Sequence, residues 1–177
     1  MRGDFILVIG NDPVGLGIRT AEFLNGKRKM RKTLFPKYSH AAILIDDGND
    51  ENAQIIEAEP GGARIGHAGE YGKPGIGWIK SSWNLDDNTR DRIVLEQKLL
   101  LNTPYSALDY GSLALLHFHI RPEFVVNYVA NSGHMICSQM VDEVYKRAGL
   151  QMFSDGRFPG DVTPEDLESV LTGPQKR

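Results

Sequence analysis

The chain has 177 residues, which is enough for one domain with a core of useful size. Hydrophobic residues make up 41% and charged residues 24%, as in an ordinary globular protein, so we expect a single domain over residues 1–177. A formal net charge of −3 is too small to indicate a nucleic-acid partner or an acidic one. The one cysteine excludes an intrachain disulfide.

The apolar run Phe5–Ile9 near the N-terminus is too short for a signal-peptide core with a cleavage site, and far too short to span a bilayer. A later apolar run at residues 113–116 is followed by histidines. We therefore expect a soluble protein with no signal peptide or transmembrane segment. It would be cytoplasmic, or released or carried in a virion by another route. The sequence leaves the oligomeric state open.

The first half of the chain favours strands, which are bounded by glycine, proline and polar turns. A polar loop joins the second and third strands as a hairpin, and Pro60-Gly61-Gly62 ends the third. The predicted elements are a strand over 5–9, a short helix over 18–24, strands over 39–45 and 53–59, and short strands over 62–66 and 76–80.

The second half favours helices. Asp86 and Asp87 place negative charge at the start of one helix, where the macrodipole favours it. Thr163-Pro164-Glu165-Asp166 has the pattern of a capped helix start, with Pro at the first position. Strands in the first half and helices mainly in the second predict an α+β fold in one domain. The predicted helices cover 87 to about 101, 110–116, 123–130, 137–148 and a segment beginning after Thr163.

Cys137 begins one of these helices on its apolar side, which continues through Met140, Val141, Val144 and Tyr145. The thiol would point inward at the sheet, close to free N–H groups that favour a thiolate. The alternative is a small buried hydrophobe, as free cysteines usually are. The polar residues of this helix predict its solvent face: Ser138, Gln139, Asp142, Glu143, Lys146 and Arg147.

His40 is the histidine that stands out, because it begins a strand that is otherwise apolar. A nucleophilic cysteine needs a base, and the base needs an acceptor that orients it. The neighbouring strand offers Glu57 within an apolar run and Glu59 just beyond it. The alternative for His40 is a core histidine bonded to backbone. The other four histidines lie in loops or less certain helices: His67, His117, His119 and His134.

The register of the hairpin decides which carboxylate His40 can touch. In one register His40 is opposite Glu57. Slipped by two residues, His40 is opposite Glu59, and the better-matched pair Ile43 with Ile56 forms. Both registers leave both glutamates on the His40 face, whereas a slip of one residue would remove them from it. We favour Glu57 as the orienting acid, because Glu59 lies beside the end of the strand and nearer to solvent.

Three segments together resemble the circularly permuted NlpC-type papain-like cysteine hydrolases, within them the YiiX/YaeF-like amidase group. These segments are residues 39–43 (SHAAI), residues 56–58 (IEA) and residues 136–141 (ICSQMV). In that family the chain order is His, then an acidic or polar partner, then Cys at a helix start. The Gly3-Asp4 strand entry, residues 103–105 and residues 162–167 are also similar, so the resemblance covers nearly the whole chain.

The resemblance implies a permuted papain-like fold, in which an antiparallel sheet packs against helices. It implies further that Cys137 is the nucleophile, His40 the base and Glu57 the orienting acid. It also implies an aromatic hydroxyl near the cleft, for which Tyr105 is the candidate, with Tyr110 behind it. Tyr105 is followed by Ser106, where the family pattern more often has an acid. The expected reaction is cleavage of an amide through a thioester, in a cell-wall peptide, a lipid-linked amide or a small-molecule adduct. No cofactor or metal is expected.

Other functions stay open. The same site could act on esters or transfer acyl groups, as in proteins of the lecithin retinol acyltransferase-like type, either as an acyltransferase or as a thioesterase. The chain could also be a non-catalytic binding or structural module. His117, His119 and His134 could bind a metal, although no supporting cysteine or carboxylate motif accompanies them. The basic residues 27–32 could touch an anionic polymer or lipid headgroups.

Overall fold

The computed structural model describes residues 1–9, 37–48, 51–59, 62–72, 77–101, 137–157 and 162–174. Among the described residues the five strands come first along the chain and the three α-helices follow them, in a mixed α/β arrangement. The strands are β1 (Phe5–Ile9), β2 (His40–Leu44), β3 (Gln54–Glu59), β4 (Gly62–His67) and β5 (Gly77–Lys80). The helices are a 3-10 turn (Ala68–Tyr71), α1 (Asp87–Leu99), α2 (Cys137–Arg147) and α3 (Pro164–Glu168).

The strands form one antiparallel sheet in the order β4-β3-β2-β1-β5. Each predicted strand is confirmed to within one or two residues at its ends, as are the three helices that fall in the described part of the chain. The predicted helices over 18–24, 110–116 and 123–130 lie outside the described residues. The expected antiparallel sheet is therefore confirmed.

Both faces of the central strands are buried, which explains their near-continuous apolar sequences. The face covered by α2 packs into one core cluster, and the opposite face forms a second cluster. In β2, residues Ala41 and Ile43 lie on the α2 face, and Ala42 and Leu44 lie on the other. His40 has the parity of Ala42, so it leaves the strand on the face opposite to α2.

Helix α2 is fixed by hydrogen bonds at both ends as well as by its apolar stripe. The Tyr145 hydroxyl donates to the carbonyl oxygen of Gly3 over 2.6 Å, next to the start of β1. The Ser138 hydroxyl donates to the carbonyl oxygen of Val162 over 2.7 Å. The prediction that Ser138 and Gln139 face solvent is wrong, because both are buried where the C-terminal segment covers the first turn of the helix.

The other two helices begin at the predicted caps. The Asp86 carboxylate accepts from the backbone N–H of Thr89 over 2.8 Å at the start of α1. Thr163 and Asp166 form a reciprocal capping box at the start of α3. Among the described residues, no helix is long and apolar enough to cross a membrane.

Candidate active site

Cys137 and His40 are each the first residue of their element, and this is where the two elements meet. Cys137 begins α2 and is buried beside Ala41 and Met140 in the core on that side of the sheet. The His40 ring lies at the start of β2, close enough to the Cys137 side chain for that group to raise the pKa of the ring. The predicted nucleophile and base therefore lie together.

Glu57 is the carboxylate that holds the His40 ring. Its Oε2 lies 2.8 Å from His40 Nε2, and the Glu57 side chain is completely buried. The strand register pairs Glu57 with Ala42 and Ile43 with Ile56, which is the second of the two registers considered from the sequence. The contact between His40 and Glu57 is therefore a diagonal one, which a long side chain can reach.

Glu59 lies near the same imidazole but is held less closely. Its Oε1 is 3.8 Å from His40 Nε2, and its side chain is 35% exposed. The distance is beyond that of a hydrogen bond. Of the two carboxylates, Glu57 is thus the one placed to orient His40.

The Glu57 carboxylate has further partners on both of its oxygens. The Tyr71 hydroxyl donates to Oε2, the same oxygen that contacts His40. The Arg64 guanidinium lies 2.6 Å from Oε1, an ion pair whose geometry is not that of a hydrogen bond. The Glu57 carboxylate packs against Gly66, where a side chain would clash with it. A Cβ on residue 66 would lie 2.9 Å from Glu57 Oε1.

Burial and charge act in opposite directions on the His40–Glu57 pair. Burial acts to lower the pKa of His40, but the charge and hydrogen bond of Cys137, followed by those of Glu57, outweigh it and raise that pKa to about 10. Burial acts to raise the pKa of Glu57, but His40, Tyr71 and Arg64 hold it below its ordinary value. The site therefore favours the imidazolium form of His40 beside an ionised Glu57.

Tyr71 stays protonated in this arrangement. Its burial and the nearby Glu57 carboxylate raise the pKa of the phenol far above its ordinary value. The His40 and Tyr71 rings lie with their centroids 5.7 Å apart. Tyr71 is thus a neutral hydrogen-bond donor to Glu57 at neutral pH.

Sequence reasoning missed Tyr71 and Arg64. Glu57 and Arg64 are directly paired across β3 and β4. In the sequence each lies three residues from the dipeptide at positions 60 and 61, so a hairpin with a two-residue connection would have predicted their contact. Tyr71 carried no such signal, because it follows β4 in a 3-10 turn whose path is set by the fold. The predicted aromatic candidates Tyr105 and Tyr110 lie outside the described residues.

One group of side chains among the described residues could hold a metal ion. The ligand atoms of His40, Glu57 and Glu59 all lie within 4.8 Å of one another. Arg64 already places a cation against Glu57, which opposes a second positive charge at that oxygen. The predicted metal alternative at His117, His119 and His134 and the basic residues 27–32 lie outside the described residues.

Comparison with known proteins adds no relative. No family model matches this sequence, and no curated protein matches it. The chemistry must therefore be argued from the site itself. A buried carboxylate that holds an imidazole beside a thiol at a helix N-terminus has the parts needed for nucleophilic catalysis.

Proposed function

We propose that this chain is a cysteine hydrolase that cleaves an amide bond through a thioester intermediate. The observation that carries the proposal is the fully buried Glu57 carboxylate 2.8 Å from the His40 ring, whose pKa is in turn raised by the single cysteine. A buried carboxylate is costly unless it is paired, so its place beside His40 argues for a function. Cys137 is the nucleophile, His40 the general acid and base, and Glu57 the residue that orients His40.

The first chemical step forms the thioester. The Cys137 thiolate attacks the carbonyl carbon, so an S–C bond forms and the carbonyl π electrons move to oxygen. As the C–N bond breaks, the His40 imidazolium gives its proton to the leaving nitrogen, which departs as a neutral amine. The free N–H groups at the start of α2 carry positive partial charge that favours the anionic forms on this path.

The second step returns the enzyme to its resting state. Neutral His40 takes a proton from a water molecule, whose oxygen attacks the thioester carbonyl. The C–S bond breaks, the Cys137 thiolate leaves, and the acyl group departs as a carboxylic acid. The sum is one amide and one water converted to one acid and one amine, with the thiolate–imidazolium pair restored.

The fold that we propose for this chemistry is the permuted papain-like one. The order His40, Glu57, Cys137 along the chain supports it, as does a helix that begins at the nucleophile and packs on an antiparallel sheet. The substrate on this proposal is an amide in a cell-wall peptide, a lipid-linked amide or a small-molecule adduct.

Trapping of the acyl-enzyme tests the proposed function. The protein would be incubated with a panel of peptide, lipid-amide and small-molecule amide substrates, quenched in acid and examined by mass spectrometry. A thioester adduct can form only at Cys137, because the chain has no other thiol. We expect an adduct with at least one class, absent in Cys137→Ala. No adduct with any class, together with ordinary thiol reactivity, would favour a non-catalytic module.

Acyl transfer differs from hydrolysis only in the second step, where another nucleophile replaces water. Both reactions use the same thiolate and imidazolium, so the acceptor must be tested directly. Adding alcohols or amines to the trapped acyl-enzyme separates the two. Faster decay of the adduct with formation of a new ester or amide would identify an acyltransferase.

A further inference from the structure

We infer that Tyr71 and Arg64 are positioning residues that fix the Glu57 carboxylate for its work on His40. The inference rests on the proposed function and extends its machinery from three residues to five. It comes from the way in which the two oxygens of Glu57 are divided among their neighbours.

Oxygen Oε2 is shared between the base and the tyrosine. His40 Nε2 lies 2.8 Å from it, and the Tyr71 hydroxyl donates to the same atom. Two donors that converge from different elements define the direction of the carboxylate. Because the Glu57 carboxylate accepts from Nε2, the proposed function assigns proton exchange with Cys137 to the other ring nitrogen, Nδ1.

Oxygen Oε1 is held by Arg64, which is itself held from the other side. Arg64 Nη2 lies 2.6 Å from Glu57 Oε1 and 3.2 Å from Glu70 Oε2. Glu70 in turn accepts from the backbone N–H of His67 over 2.9 Å. Arg64 therefore lies between the carboxylates of Glu57 and Glu70. Rotation of the Glu57 side chain would break its ion pair with Arg64.

These contacts have a consequence for catalysis. If Tyr71 or Arg64 is removed, the charged form of Glu57 loses a stabilising partner in a buried site, and its carboxylate can turn away from His40. Residues that act in this way on a catalytic group typically change the rate by 10- to 100-fold. Removal of Tyr71 or Arg64 should therefore have no effect on the rate when residue 57 is uncharged.

The experiment measures alkylation of Cys137 by iodoacetamide at pH 7 in the full chain, followed by mass. We expect Tyr71→Phe and Arg64→Met each to slow alkylation by about 10-fold, and Arg64→Lys to recover part of the loss. In a Glu57→Gln background, neither substitution should slow it further. Glu70→Gln removes the second ion pair of Arg64 but no contact of Glu57, so we expect it to slow alkylation less than Arg64→Met does. This variant tests the role of Arg64 even if Arg64→Met does not fold.

Matched controls separate positioning from stability. Tyr145→Phe removes a buried tyrosine hydroxyl bond, to Gly3, away from Glu57. Arg147→Met removes a half-exposed arginine paired with Glu143. Both should leave the alkylation rate unchanged, although Tyr145→Phe should lower the free energy of unfolding by about 1 kcal/mol.

Three outcomes would overturn the inference. If alkylation of the parent protein is fast and depends on His40, unchanged rates in Tyr71→Phe and Arg64→Met would overturn this inference and leave the proposed function standing. If Tyr71→Phe and Arg64→Met slow alkylation in the Glu57→Gln background as much as in the parent, Tyr71 and Arg64 act on stability and not through Glu57. Slow alkylation of the parent protein that His40→Ala does not change would overturn the proposed function and this inference together.

Discussion

The hydrogen bond between His40 and Glu57 crosses from β2 to β3 on a diagonal, because Glu57 is paired in the ladder with Ala42. Extending the same register places Glu59 opposite His40, yet Glu59 lies farther from the ring and nearer to solvent. The directly opposed acid is thus not the one that binds the base. Burial and the contacts with Tyr71 and Arg64 select the diagonal partner.

Cys137→Ser should abolish turnover and leave the fold intact. Serine nearly conserves the volume of the side chain, but His40 is not matched to a hydroxyl whose pKa is far above that of a thiol. We expect a loss on the order of 10³-fold or more in the rate with any substrate found by acyl-enzyme trapping. Thermal unfolding of the variant should resemble that of the parent. Loss of the folded state would mean that Cys137 serves mainly in packing.

The two glutamates near His40 should differ in their effects. Glu57→Gln should reduce activity by about 100-fold, because an amide cannot compensate the imidazolium and disturbs the ring orientation. Glu59→Gln should reduce it less than 3-fold, since its carboxylate is 3.8 Å away and partly exposed. Steady-state rates with one substrate compare them. Equal losses would assign a shared role, and a larger loss in Glu59→Gln would contradict the choice of Glu57.

The titration of His40 should depend on the cysteine. The pKa of His40 is raised to about 10 against the effect of burial, chiefly by Cys137 and then by Glu57. In Cys137→Ala the effect of the cysteine is absent while burial remains, so the pKa of His40 should fall. Imidazole resonances followed by NMR from pH 5 to 11 measure it, and a His40→Ala spectrum assigns the signal. An unchanged titration would show that thiol and ring do not interact.

Stability at low pH should depend on the ionised form of Glu57. The folded-state pKa of Glu57 lies below its ordinary 4.5, so its contribution to stability is present above pH 4.5 and is lost as pH falls through the folded value. Glu57→Gln cannot titrate. The difference in free energy of unfolding between parent and variant, from urea denaturation at pH 7, 4.5 and 3, should therefore shrink on acidification. A constant difference would contradict the lowered pKa.

Gly66 should be needed for the position of Glu57. A Cβ at this residue would lie 2.9 Å from Glu57 Oε1 and 3.1 Å from Glu70 Oε1, so Gly66→Ala must displace at least one carboxylate. We expect activity to fall by about 10-fold. Gly77→Ala is the control, because its Cβ would meet only Ile9 at 3.9 Å. Similar losses in both variants would indicate a general effect on the sheet.

Activity should survive a strong chelator and be lost on alkylation of the thiol. This pattern follows if the thiolate is the nucleophile, because no step in the proposed path uses a metal. Assay after dialysis against EDTA, and separately after iodoacetamide, checks it. Loss of activity on chelation, restored by a divalent ion, would move the chemistry to the site formed by His40, Glu57 and Glu59.

Local signals in the sequence were enough to predict the elements and where Cys137 and His40 sit within them. The apolar run of β2, the stripe of α2 and the Thr163 cap are patterns of neighbouring residues, and each appears at the predicted place. Such patterns report the period and the ends of an element, because these depend on contacts within a few residues. They also predicted that Glu57 and Glu59 share the His40 face.

Only the tertiary structure determined the strand register, the burial of Ser138 and the position of Tyr71. Hairpin parity allowed two registers, and packing across both faces of the sheet selected the one in which Ile43 meets Ile56. The solvent face assigned to Ser138 was wrong, because a segment distant in sequence covers it. Tyr71 joins the site only through the path of the chain after β4. Contacts of this kind depend on the arrangement of whole elements, which the period of one element does not specify.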